Sequence, residues 1–188
     1  HDVVVDDHAE VLWRLRALCG LKNTMGTKIV ALGGASGWAA PNAPALSQDR
    51  WKLDIRNVSY DDLAKLIQAA RGDAKAVARA RARAADYLSR DQVKLETKKE
   101  HVENGFLLEE VFRGLIVAAG AKAFTINSCM GTIMSVADTT ACLALSILND
   151  DGYQAYCESD FVVVPSGILL TGITGRPSFL NDPTFPAG

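Results

Sequence analysis

Reading the chain for the spacing of its apolar positions divides it into alternating helical and extended runs. In residues 8–20, Val11, Leu12, Leu15 and Leu18 recur at helical spacing and Gly20 follows, the pattern of a short amphipathic helix with a glycine just past its end. The next run, Lys28–Leu32, is apolar after its first residue and leads into Gly33-Gly34-Ala35-Ser36-Gly37-Trp38, a strand followed by a glycine-rich turn. Trp38 and residues 39–48, with Pro41 and Pro44, read as an exposed loop, a lid or a subunit contact. Residues 51–58 alternate well enough for a second strand. Ser59 then supplies an N-cap, and Asp61 and Asp62 an acidic first turn, for a helix through Ala70 that Gly72 ends.

Residues 73–90 are rich in alanine and arginine and favour helix. Arg79, Arg81 and Arg83, spaced by two, should scatter round that helix and stay solvated, which argues against a nucleic-acid contact. The helical reading continues through residues 91–119, highly charged at 94–103 and more apolar at Phe106, Leu107, Val111, Leu115 and Ile116, and stops at Gly120. Residues 121–127 are then a third strand, residues 139–149 a buried helix, Asp150-Asp151-Gly152 a turn, and residues 153–157 a fourth strand that delivers Glu158. Such alternation predicts an α/β fold with an open, mainly parallel Rossmann-like sheet flanked by helices. Residues 1–188 form a single domain, of which 161–188 lead toward a following one; there is no internal repeat and no long linker.

Composition narrows the partners. The chain has 188 residues and a formal net charge of −2, with a pI near 5.9, so nothing global draws it to nucleic acid or to an anionic membrane. No segment is apolar enough for a membrane span, and the N-terminus lacks the layout of a signal peptide. Cys19, Cys129, Cys142 and Cys157 show no C-x-x-C pair and no zinc-like spacing, and read as reduced, partly buried thiols. A cytoplasmic protein acting on a small molecule is the expectation. The first residue is His1 and not methionine, which leads us to expect a piece of a longer protein.

Three places carry candidate chemistry. The glycines at 33–37 invite a phosphate or dinucleotide, but they lack the G-x-G-x-x-G order, and Trp38, Pro41 and Pro44 argue against a prompt helix; a strand-end turn fits better. Asn127 follows the end of the third strand, where ligands collect in open α/β sheets. Glu158-Ser159-Asp160 ends the fourth strand, and Asp182 lies beyond the apolar run 162–174 and the turn Gly175-Arg176-Pro177. Two carboxylates bracketing one apolar, buried element suit a hard cation such as Mn²⁺ or Mg²⁺ better than zinc, although a solvated strand end and a turn cap would leave the same pattern.

The run CLALSILNDDGYQAYCESD followed by GILLTGITGRPSFLNDPTF resembles the metal-dependent sugar isomerases of the L-fucose isomerase and L-arabinose isomerase group. That pattern has a Glu in a short E-x-D at a strand end, an apolar segment, a T-x-x-P turn and an F-x-D. Here these are Glu158-Ser159-Asp160, Thr174-Gly175-Arg176-Pro177 and, one residue longer, Phe179-Leu180-Asn181-Asp182. The likeness is fairly specific over residues 124–185 and only topological over residues 1–120. It implies an aldose–ketose isomerase in which Glu158 and Asp182 are both metal ligands and the acid/base pair, with Mn²⁺ or another divalent cation such as Mg²⁺. It further implies Asn127 as a substrate-binding amide, a monosaccharide substrate, Asp160 in a supporting role and a homo-oligomer.

Two departures qualify what the resemblance implies. The family's third ligand is a histidine from a later domain, and His1, His8 and His101 match no such position. The family also carries an α/β domain before a region like this one. The chain is therefore expected to be the middle domain of a longer isomerase, inactive by itself and binding metal weakly. The competing expectation is a non-catalytic α/β domain of the same fold that binds a small molecule or serves assembly.

Overall fold

Apolar runs become the strands of one sheet when both of its faces are covered, and that is the arrangement in the computed structural model, which describes residues 3–5 and 7–180. The elements in chain order are α1 (His8–Thr24), β1 (Lys28–Leu32), α2 (Ala43–Trp51), β2 (Asp54–Val58), α3 (Tyr60–Gly72), α4 (Ala74–Leu88), α5 (Lys99–Ala119), β3 (Ala123–Ile126), α6 (Cys129–Ala137), α7 (Cys142–Asp150), β4 (Gln154–Cys157) and α8 (Val164–Thr174). The strands are all parallel, in the order β2-β1-β3-β4. The α/β fold read from the sequence is the fold observed.

The pleat sorts side chains to two cores. Val30, Leu32, Phe124, Ile126 and Ala155 face the helices α3, α5, α6 and α7, where Leu63, Phe112, Ile116, Ile133 and Leu148 are buried. Ile29, Ala31, Ala123 and Tyr156 face the other way and pack with Ala43 of α2 and with Val164 and Ile168 of α8. Phe112 and Phe124 stack with centroids 4.6 Å apart at the centre of the first core. The edge strand β2 is more polar, with the ion pair Arg56–Asp54 at 2.9 Å. Among the described residues no single helix is long and apolar enough to cross a membrane.

Local signals placed several boundaries. Ser59 caps α3 by accepting from the Asp62 amide at 3.1 Å, and Gly120 ends α5 in the left-handed conformation at φ 57°. Elsewhere the structure corrects the sequence reading. Gly20 lies inside α1, where a Cβ would meet Ile173 at 2.4 Å; it is a point of close approach to α8 and not a helix end. Residues 43–48 of the expected loop belong to α2 (Ala43–Trp51), with Pro44 in the first turn, where a missing amide costs nothing. The second strand starts at Asp54, after α2 ends at Trp51. Residues 91–98 are not helical, and β3 and β4 are shorter than expected at their ends.

Two apolar stripes also behave differently. Val11, Leu12, Leu15 and Leu18 of α1 face away from the sheet, with Leu18 62% exposed, because α1 packs on α8 through its opposite side. The run 162–174 is only half buried: Val164, Pro165 and Ile168 are inside, while Val162, Val163 and Leu170 are exposed. The arginines of α4 are not scattered. Ala76, Ala80 and Ala84 pack against Phe106 and Leu107, and the arginines flank that alanine stripe, pairing with α5 as Arg79–Glu110, Arg81–Glu103 and Arg83–Glu109.

Candidate functional site

In a parallel sheet the carboxyl ends of all strands open on one edge, and the order reverses between β1 and β3. Three of the four strand ends bring candidate side chains to that edge. Tyr60 follows β2 as the first residue of α3, Asn127 and Cys129 follow β3, and Cys157 and Glu158 end β4. Glu158 is thus where the sequence reading put it. Asp182, its expected partner, lies outside the described residues.

Backbone conformation singles out the same edge. Among the described residues, four other than glycine have a positive φ, and two of them are Ser128 at 57° and Glu158 at 79°, at the ends of neighbouring strands. A left-handed backbone disfavours any side chain with a Cβ by roughly 1–2 kcal/mol, and such residues concentrate at functional sites. The Glu158 carbonyl is fixed by the Thr125 hydroxyl, which donates to it at 2.6 Å. Glu158→Gly should therefore be more stable than Glu158→Ala by about 1 kcal/mol, since both lose the carboxylate and only alanine keeps the strain. Urea midpoints of the two variants check it; equal midpoints would remove the strain argument.

The glycine-rich turn has a structural task. The amides of Gly33, Gly34, Ala35 and Ser36 donate to Val58 O, Ala31 O, Asn57 Oδ1 and Ser159 O at 2.9, 3.3, 3.1 and 2.9 Å. Those donors are thus engaged within the chain, where a phosphate-binding loop would turn them to the ligand. The turn instead reaches across to the residues after β4: the Phe161 amide donates to Ser36 O at 2.8 Å, and the Trp38 amide to Asp160 Oδ1 at 3.3 Å. Asp160 also accepts from the Val162 amide at 3.0 Å, which makes it a tie between loops. Trp38 itself is exposed. The Ser159 hydroxyl, fully buried beside Glu158, has no hydrogen-bond partner among the described residues.

Asn127 is held on three sides. Its amide donates to Leu32 O at 2.8 Å, its carbonyl accepts from the Tyr60 hydroxyl, and its side-chain amide donates to Gly33 O at 3.4 Å. Gly33 is required at this junction, because it has φ 74° and a Cβ would lie 2.6 Å from the Tyr60 ring. Burial pushes the Tyr60 hydroxyl up to about 12, helped by Cys129, Glu158 and Cys157 around it. The Cys129 thiol is held below its ordinary range, first by the thiol of Cys157 beside it, and that of Cys157 is raised by Cys129 and by burial.

The Tyr60 shift predicts an alkaline limb. Below pH 10 the tyrosine is protonated whether the chain is folded or not. Between pH 10 and about 12 the unfolded chain loses its proton first, so stability falls as pH rises. Buried Tyr156, also raised, acts in the same direction. Tyr60→Phe should flatten this limb and cost about 1 kcal/mol at neutral pH through the lost bond to Asn127. Unfolding titrations at pH 7 and across the alkaline range test both parts.

Glu158 offers oxygen donors, which suit a hard divalent ion in kind, while Asp160 is engaged by backbone amides. Among the described residues no group of three or more His, Cys, Asp or Glu converges as a metal site. Tyr60, Cys129 and Cys157 were not foreseen as neighbours of Glu158. The rule that ligands collect at strand ends, applied to every strand and not only to those bearing Asn127 and Glu158, would have found them. No family model matches this chain, and no curated protein matches it.

Proposed function

We propose that this chain carries the acid/base part of a metal-dependent aldose–ketose isomerase that works in the cytoplasm on a monosaccharide. The observation that carries the reading is Glu158, held at φ 79° on the strand-end edge of the sheet. A carboxylate kept there against its backbone preference suits a group whose position matters to chemistry. The sequence resemblance from Glu158 to Asp182 supports the same assignment.

On this reading Glu158 and Asp182 hold a divalent cation, Mn²⁺ or Mg²⁺, which when bound polarises the substrate carbonyl. The two carboxylates move one proton between C1 and C2 of the open-chain sugar, which passes through an enediol. Asn127, anchored by Tyr60 and Leu32, presents its side-chain amide to a substrate hydroxyl, an exchange its long bond to Gly33 O permits. The solvent-facing apolar residues of α1 support a homo-oligomer.

The test is aldose–ketose conversion by the full-length protein with Mn²⁺ over fucose, arabinose and related aldoses in deuterated water. Ketose carrying solvent deuterium at C1 is the expected result. A metal-bound full-length protein that converts none of them would favour the non-catalytic binding module. A tightly held equivalent of zinc would also count against the isomerase.

A further inference from the structure

We propose that α1 is a dimerisation helix, which pairs antiparallel with α1 of a second copy of this chain about a two-fold axis beside Leu15. The helix is anchored from one side. Gly20 and Thr24 are its buried residues, and the crossing with α8 is so close that a Cβ at Gly172 would stand 3.1 Å from the Gly20 Cα. Away from that crossing run Val11, Leu15, Leu18 and Lys22, with Leu12 and Cys19 beside them. Steps of four, three and four residues are those of the seam in a helix pair. All six residues are exposed, with Leu12, Leu15 and Leu18 at 58, 51 and 62%, so the described residues leave a row of leucines open.

The charges decide which partner fits. Asp7 and Glu10 stand at the start of α1, and Arg16 and Lys22 in its second half. A two-fold axis across the middle of the helix reverses this order, so the acidic end of one copy meets the basic end of the other. A parallel pair would set acid against acid and base against base. With Leu15 at the axis, Val11 and Leu12 meet Leu18 of the second copy, and Lys22 reaches Asp7. The Asp7 carboxylate accepts from the Glu10 amide at 3.0 Å and has capacity for a second donor. A face complementary to itself calls for a second copy, and a helix of 17 residues, about 25 Å long, suits a reversible dimer.

This pairing gives the homo-oligomer proposed above a surface and a symmetry, and it is independent of the chemistry assigned to Glu158.

Sedimentation equilibrium on the full chain, under reducing conditions so that exposed Cys19 cannot join copies covalently, should show a reversible dimer of twice 20.2 kDa. Leu15→Asp sets two carboxylates face to face at the axis and should raise the dissociation constant at least about tenfold. Val117→Asp, at a more exposed apolar position on α5, should leave it unchanged. Lys22→Glu should also weaken the dimer, because it faces Asp7 with a like charge. Circular dichroism of Leu15→Asp checks that the variant folds, and the wild-type measurement needs no variant. A lone 20.2 kDa species at every concentration would overturn the proposal. A dimer that neither Leu15→Asp nor Lys22→Glu weakens would overturn it too, and would leave a homo-oligomer formed through another surface.

Discussion

On the isomerase reading proposed above, Glu158→Gln is expected to lower turnover by about three orders of magnitude, the loss typical when a general acid or base is removed. Glutamine matches glutamate in size and can keep the left-handed backbone at φ 79°, so the strand end and the bond from Thr125 to the Glu158 carbonyl persist. What it lacks is negative charge and the ability to accept and return a proton. Thermal stability should change by little, which separates chemistry from folding. Solvent deuterium uptake at C1 should fall in step with turnover, and raising Mn²⁺ should not restore it. Restoration by metal alone would make Glu158 a ligand without a proton-transfer role. Unchanged turnover would remove Glu158 from the site and leave the module reading.

What the sequence made legible was what local chemistry decides. Ser59 before two acids and Gly120 after an apolar helix mark their boundaries because a cap is a contact within a single turn. Gly20 was misread for the complementary reason. A glycine past a helix and a glycine pressed against a second helix look alike until α8 is placed beside α1. Pro44 was read as a breaker, although in a first turn it is compatible with helix. The α1 stripe of Val11, Leu12, Leu15 and Leu18 has helical spacing but turns outward, and periodicity does not say which surface covers an apolar face.

The site divides in the same way. The positions of Glu158 and Asn127 were legible because each directly follows a strand. The nearness of Tyr60, Cys129 and Cys157 to Glu158 depends on the order β2-β1-β3-β4 and on the register of β3 with β4, which spacing along one segment does not contain. Asp160 shows the limit of motif reading from the other side. It belongs to the same E-x-D as Glu158, yet its carboxylate serves two backbone amides and joins loops.

Glu109→Leu should destabilise the domain by about 2 kcal/mol, the cost of leaving two partly buried arginines without the buried carboxylate between them. Glu109 is fully buried on α5 between Arg83 of α4 and Arg113 one turn on, with Arg113 Nε at 2.7 Å and also paired to Asp151. Arg83 lies over the Phe106 ring and Arg113 over the Tyr153 ring, at 5.0 and 5.4 Å, contacts that hold both partly exposed guanidinium groups near Glu109. The neighbouring pair Arg79–Glu110 is the control: Arg79 is 57% exposed, and Glu110→Ala should cost under about 1 kcal/mol. At about 1 M salt the small cost should vanish while the large one persists, because screening acts on exposed charges. Denaturant titrations of both variants at low and high salt decide it. If uncompensated charge is the cause, replacing Arg83 and Arg113 by methionine in the Glu109→Leu background should recover most of the loss; failure to recover would assign the cost to packing between α4 and α5.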